Sequence, residues 1–319
     1  MGEYAGFASD AFHNDQPIDA TGFVYMRGGI CVEPLVEWTE FTGDSKALDL
    51  ARRFANCELG GHSTVTVPPG SKQIAEQVKR YVRFEPDGSF AGHVHTGIST
   101  LIGVVRLGRY YLKQGETETG GRYLRVARKS YDWLFTPACG SNRMGWVPQG
   151  SAVSETCSAA DVMELAEVIA SCANLSADFK DRSWLYDDLE RMAVNVPAAT
   201  QLRFTPEFDS FLAACYDVED QKSLEIARKF NGTWSSSFDP NDLARGDGLF
   251  LTGCCQYAGV TALYAGWRNA LQWSNNVLRV NYFLNRSLPQ AEMTTALARP
   301  GSASHASPAS GVPAWLPAP

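Results

Sequence analysis

Hydrophobic residues recur along this chain with the period of an α-helix, and the helical runs come in pairs. From Glu33 to Glu58, EPLVEWTEFTGDSKALDLARRFANCE reads as a helix, a break at Gly43-Asp44 and a second helix running back. From His95 to Phe135, HTGISTLIGVVRLGRYYLKQGETETGGRYLRVARKSYDWLF repeats the plan around Gly115-Glu116. Glycine at a helix end supplies the left-handed cap, and the acid or Ser that follows begins the next helix. Ile98, Leu101, Ile102 and Val105 follow the i, i+3, i+4, i+7 spacing of one buried face. A third pair, SETCSAADVMELAEVIASCANL then SWLYDDLERMAVNVPAATQL, places Val162, Leu165, Ala166 and Ile169 on one stripe. In a further helix after Cys254-Cys255, the face expected inside is Val260, Leu263, Tyr264, Trp267 and Leu271.

Hairpins of this size stack side by side, and a closed ring of six is an (α/α)6 toroid. The expected class is therefore all-α, a toroid-like barrel of helical hairpins. About eight to ten of the twelve helices of such a ring are legible, so the ring reads as incomplete. Strand signals are few, HSTVTVPPG at 62 to 70 and VLRVNYFLN at 277 to 285. Residues 1–290 are expected to form the barrel, and 291–319, rich in Pro, Ala and Ser, to be disordered.

Composition narrows the function. With 45% hydrophobic residues the 319-residue chain can bury a core, and a net charge of −7 lacks the clustered cations that nucleic acid or an anionic membrane calls for. A small or neutral ligand fits better, and 8 Trp are compatible with stacking on sugar rings. No apolar run is long enough to span a bilayer. The start, MGEYAGFASDAFHNDQ, lacks the basic and apolar regions of a secretion signal, so a cytoplasmic chain with reduced thiols is expected.

Two short patterns carry metal-ligand chemistry. Ser154-Glu155-Thr156-Cys157 opens one apolar helix, and Gly253-Cys254-Cys255 opens another. At a helix N-terminus the positive end of the dipole and unpaired N–H groups favour thiolates and carboxylates. Three sulfurs and one oxygen suit tetrahedral zinc. The residues alone leave other readings open, with Glu155 as a capping-box acid and the cysteines as small buried hydrophobes. A redox pair at Cys254-Cys255 lacks the Cys-x-x-Cys spacing and thioredoxin-like pattern of that chemistry.

With these two motifs in this order on such hairpins, residues 20 to 286 resemble glycoside hydrolase family 127, the β-L-arabinofuranosidases of the six-hairpin glycosidase superfamily. The resemblance implies an (α/α)6 barrel, with Zn2+ held by Glu155, Cys157, Cys254 and Cys255. It implies retaining hydrolysis of a furanoside by zinc-bound Cys254 as nucleophile, with a carbohydrate as the partner. The family's general acid/base is a Glu shortly before the Glu-x-Cys motif. Here WLFTPACGSNRMGWVPQGSAVS has no Asp or Glu, and the nearest position, Gln149, cannot exchange a proton at neutral pH. His93 and His95 match histidine-containing segments of the family, and an imidazole can replace the carboxyl near pH 7. The missing Glu also supports a second expectation, a non-catalytic homologue that keeps zinc and binds a glycan or a partner. Members of the family continue into β-sandwich domains, whereas here VLRVNYFLNRS leads to the Pro/Ala/Ser tail, as in a shortened member.

Overall fold

The expected hairpins are present in a computed structural model of the chain, and they pack in a row. It describes residues 28–59, 83–91, 94–148, 154–176, 180, 183–203, 205–207, 210, 225, 228–238, 251–274, 277–281, 286–288 and 291–293. The fold is mostly helical, with a few short strands. Helix α1 (Val32–Thr42) follows a 3-10 turn at Gly28–Cys31 and pairs with α2 (Ser45–Leu59); α3 (Val94–Lys113) pairs with α4 (Thr117–Leu134). Helix α5 (Thr156–Ser171) pairs with α6 (Ser183–Asn195), and α7 (Gly253–Ala270) packs on both.

The turns follow the expected chemistry at the first hairpin. Gly43 has φ 75°, and its N–H donates to Thr39 O at 2.8 Å, closing α1. Asp44 Oδ1 accepts from Lys46 N at 2.9 Å and so caps α2. At the second turn Gly115 is again left-handed, φ 84°, but the Glu116 side chain makes no cap bond.

The first helix of each hairpin lies against the first helix of the next, α1 on α3, α3 on α5 and α5 on α7. The stripes Ile98, Leu101, Ile102, Val105 and Val162, Leu165, Ala166, Ile169 are all buried, in one core that also takes Leu124, Tyr131 and Leu189 from the returning helices. Helix α7 turns differently from expectation. Val260, Tyr264 and Trp267 are about half exposed, Leu263 and Leu271 are partly exposed, and the buried face is Ala258, Gly259, Ala262, Ala265 and Gly266. Small residues let α7 approach α5 and α6 closely, and Gly266 is tightly packed, since a Cβ there would lie 3.0 Å from that of Ala193. Periodicity pointed to the large-residue face of α7, whereas close backbone approach buries the small-residue face instead.

Strands are short. Ser154–Glu155 (β3) pairs antiparallel with Ser237–Phe238 (β4), after a two-residue pairing of Arg83–Phe84 (β1) with Phe90–Ala91 (β2). Leu271–Ser274 (β5) pairs with Val277–Val280 (β6), the start of the strand expected at 277 to 285. Arg286–Leu288 (β7) pairs with Ala291–Met293 (β8), so strand pairing reaches into the first residues of the segment expected to be disordered. The expected strand at 62 to 70, and the chain from 294 on, lie outside the described residues. No helix among the described residues is long and apolar enough to cross a membrane.

Ion pairs tie the first helices together along their length. Arg106 of α3 reaches Glu33 and Glu37 of α1, at 2.6 and 3.1 Å, and Glu164 of α5 at 3.2 Å. Lys113 meets Glu40 at 3.0 Å, and Arg268 of α7 meets Glu167 of α5 at 2.5 Å. Three carboxylates thus share the Arg106 guanidinium. Burial first, and then repulsion from Glu164, push Glu33 up from 4.5 to about 7 despite Arg106.

Between pH 4.5 and 7 the folded chain therefore holds a proton on Glu33 that the unfolded chain has lost, and this group's contribution to stability falls as pH rises through that window. Glu33→Gln is expected to raise stability at pH 7.5 by on the order of 1 kcal/mol and to leave it nearly unchanged at pH 4.5. Urea unfolding at the two pH values checks this, and an equal effect at both contradicts it.

Candidate metal centre

The first helices run in the same direction, because each partner helix returns the chain. While α1 starts beside Gly103 of α3, the N-termini of α3, α5 and α7 meet at one end of the row. Glu155, Cys157, Cys254 and Cys255 converge there with one donor atom each, all within 4.8 Å of one another. The central sulfur is Cys255 Sγ, 3.1 Å from Cys157 Sγ, 3.9 Å from Cys254 Sγ and 3.7 Å from Glu155 Oε1. Cys157 and Cys255 are fully buried, Glu155 is partly exposed and Cys254 faces solvent.

Residues about a hundred apart meet because a short segment clamps the two helix starts. Glu155 pairs with Ser237 in the β3–β4 ladder, Thr156 N donates to Ser236 O at 3.2 Å, and Thr156 Oγ1 donates to Ser235 O at 2.5 Å. On the other side Thr252 N donates to Ser236 Oγ at 2.5 Å, and the Gln256 side-chain amide bonds both the N–H and the C=O of Trp234 at 2.7 Å. The Trp234 indole lies against Gly259, where a Cβ would meet ring carbon Cδ2 at 2.1 Å. Glu155 occupies the N-cap position of α5 in extended backbone, φ −114° and ψ 137°, yet makes no side-chain cap bond. The capping-box alternative is not realised, since Ser154 Oγ instead accepts from Val147 N at 3.0 Å. The carboxylate makes no cap bond and lies with Oε1 3.7 Å from Cys255 Sγ.

The electrostatics fit a cluster that shares protons. The hydrogen bond from Cys157 brings the Cys255 thiol down to about 5, against burial, which pushes it up. Cys157 is correspondingly raised, first by that same hydrogen bond and then by burial. Burial and the charge on Cys255 push Glu155 from 4.5 up to about 7. One thiolate, one thiol donating to it and one carboxyl near half-protonation at neutral pH make a donor set that can hold a metal ion.

His95 stands beside this cluster at the first turn of α3. Its Nδ1 lies 2.5 Å from Asp161 Oδ2 on α5, and the same oxygen accepts from Ser99 Oγ at 2.7 Å. Burial works against the charged imidazolium, but the hydrogen bond and charge of Asp161 outweigh it, and His95 titrates above its ordinary value. Glu155 and Cys255 add to the rise, which places His95 within their field. His93 and Gln149 lie outside the described residues, so the structure brings five of the seven sequence-derived residues to one place and leaves those two without a position.

Asp161, Ser99, Ser236 and Thr252 did not emerge from the motifs. Asp161 carried a signal, since Asp161, Glu164 and Glu167 recur every three residues inside the otherwise apolar helix TCSAADVMELAEVIAS. The clamp carried none, because three consecutive serines after Trp234 read as a loop. No family model and no curated protein matches this chain, so its own residues carry the functional argument.

Metal binding must displace the proton from Glu155, and from Cys157, so affinity for a Zn2+ probe should rise with pH through about 7, by about tenfold or more per unit. Competition titration against a chromophoric chelator between pH 6 and 8 measures it, and a flat profile contradicts the assignment. Gly259→Val should drive Trp234 off α7 and destabilise the fold by about 1–3 kcal/mol, read as a shifted urea midpoint. An unshifted midpoint would show that the clamp does not depend on that approach.

Proposed function

We propose that this protein is a zinc-dependent retaining glycoside hydrolase relative of the β-L-arabinofuranosidase type, whose row of hairpins is an arc of an (α/α)6-like toroid. The observation that carries the reading is the convergence of Glu155, Cys157, Cys254 and Cys255 at the shared N-terminal end of the first helices. Tetrahedral Zn2+ with bonds of about 2.3 Å to sulfur needs sulfurs about 3.8 Å apart. The 3.9 Å between Cys254 and Cys255 meets this, as does the 3.7 Å from Cys255 to Glu155, and the 3.1 Å from Cys157 to Cys255 opens by about 0.7 Å. The set is sulfur-rich and closed, which favours zinc over Mg2+ or Ca2+.

When bound, zinc holds the thiols in their deprotonated form at neutral pH. Cys157, Cys255 and Glu155 anchor the site from the protein side, whereas Cys254, exposed at the start of α7, is the sulfur a sugar can reach. In this reading the Cys254 thiolate attacks the anomeric carbon, the glycosidic C–O bond breaks, and the leaving oxygen takes a proton from the His95 imidazolium. Water then attacks the thioglycoside on Cys254 and returns its proton to His95, with retention from the two inversions. Asp161 supports that role by accepting from Nδ1, which orients the ring and favours its charged form. The chemistry requires reduced thiols, which fits the cytoplasm, and a net charge of −7 fits a neutral carbohydrate better than nucleic acid or a membrane surface.

A second reading rests on one observation, the lack of any Asp or Glu between Asp132 and Glu155. A homologue that keeps the zinc and has lost hydrolysis would look the same there, and would bind a glycan or support a partner.

An aryl β-L-arabinofuranoside should be turned over by the zinc-loaded protein. His95→Gln is expected to lower the rate by about 10²–10⁴-fold, and Cys254→Ser to abolish it. Stoichiometric zinc with no turnover by the wild type or by Gln149→Glu, over a panel of aryl furanosides, excludes the enzyme and favours the non-catalytic reading.

A further inference from the structure

The three sulfurs of the cluster, all within 4.8 Å of one another, make a series graded in exposure from solvent to core. Cys254 is exposed; its Sγ lies 3.9 Å from that of Cys255, which lies 3.1 Å from that of Cys157 on the neighbouring helix. The closest pair is therefore the one an oxidant cannot reach directly, since Cys157 and Cys255 have no exposed surface.

We propose that this series is an oxidation relay, in which a hydroperoxide oxidises Cys254 and the oxidising equivalent passes through Cys255 to close a Cys157–Cys255 disulfide linking α5 to α7. The Cys254 sulfur attacks the peroxide, the O–O bond breaks, and a sulfenic acid and an alcohol, or water, are formed. Cys255 displaces hydroxide from that sulfenic acid, giving a Cys254–Cys255 bond and water. Adjacent residues close a small, strained ring, and strained disulfides exchange readily. Cys157 then attacks Cys255, and Cys254 leaves as the free thiol. In sum two thiols and one hydroperoxide give one disulfide, one alcohol or water, and one water, with two electrons passing from the sulfurs to the peroxide.

Closure asks little of the fold. A disulfide brings its sulfurs to about 2.05 Å, so the Cys157 and Cys255 sulfurs approach by about 1 Å across helices that already pack together. It consumes two of the four candidate metal donors and returns Cys254 to its reduced state. The inference depends on the positions of the sulfurs and goes beyond the glycosidase reading. It makes the site one that reducing conditions open and peroxide closes.

The test treats the reduced full-length protein, stripped of metal with EDTA, with one equivalent of hydrogen peroxide and maps non-reduced peptides by mass spectrometry, fragmentation resolving Cys254 from Cys255. The expected product is a single link between Cys157 and Cys255, two hydrogens lighter than the reduced protein and reversed by dithiothreitol. Cys254→Ser, a change at an exposed position, should slow the link by about tenfold or more. Cys157→Ser should stop the sequence at Cys254, as a dimedone-trapped sulfenic acid or a Cys254–Cys255 link. Accumulation of oxidised Cys254 without the link in the wild type, or linking of Cys254→Ser at the wild-type rate, overturns the relay. A parallel zinc-loaded sample, with a chromophoric chelator present, separates the two ideas. No link in the metal-free sample, with zinc retained in the loaded one, overturns the relay alone, whereas a link formed in protein that takes up no zinc overturns the metal reading and supports the relay.

Discussion

Everything at the candidate centre depends on the parallel alignment of α1, α3, α5 and α7. Each hairpin sends its chain back through α2, α4 or α6, so the next first helix starts again from the same end. The N-terminal dipole ends of α3, α5 and α7 are thereby gathered into one region, where carboxylate and thiolate are favoured and where burial alone would oppose them. Glu155 and Cys157 enter from one of these starts, Cys254 and Cys255 from another, and His95 from a third. The three sulfurs and the carboxylate, all within 4.8 Å, come from two different helix starts.

The same alignment explains the polar stripe along an otherwise apolar junction. Arg106, Lys113 and Arg268 bond carboxylates on neighbouring first helices, and His95 does so with Asp161 nearer the N-termini. Charge on these faces is matched across helices rather than along one, so each ion pair also fixes how far one helix slides past the next. The match is imperfect at Arg106, which serves Glu33, Glu37 and Glu164 together, and the raised Glu33 is the result. At the other end of the stripe a similar crowding of acidic groups, Glu155 and three thiols, is what a cation would relieve.

Much of this was legible in the sequence. The apolar stripes of α3 and α5, the left-handed Gly43 and Gly115, and the two motifs at helix starts all follow from local rules that tertiary packing did not override. What was missed is non-local. The outward turn of Tyr264 and Trp267 follows from Ala262, Ala265 and Gly266 meeting a neighbour closely, and hydrophobicity does not encode such an approach. The Trp234–Phe238 clamp acts mainly through backbone groups and serine hydroxyls, which leave no periodic trace. Asp161 was visible as an acid in an apolar helix, but its partner, His95, lies 66 positions away.

The central claim is that Glu155, Cys157, Cys254 and Cys255 bind one zinc ion together, and its most direct test is X-ray absorption at the zinc edge of the stoichiometrically loaded protein. The account predicts a four-coordinate ion with three sulfurs at about 2.3 Å and one oxygen at about 2.0 Å. A first shell of oxygen and nitrogen alone, or a protein that retains no zinc after gel filtration, would contradict it.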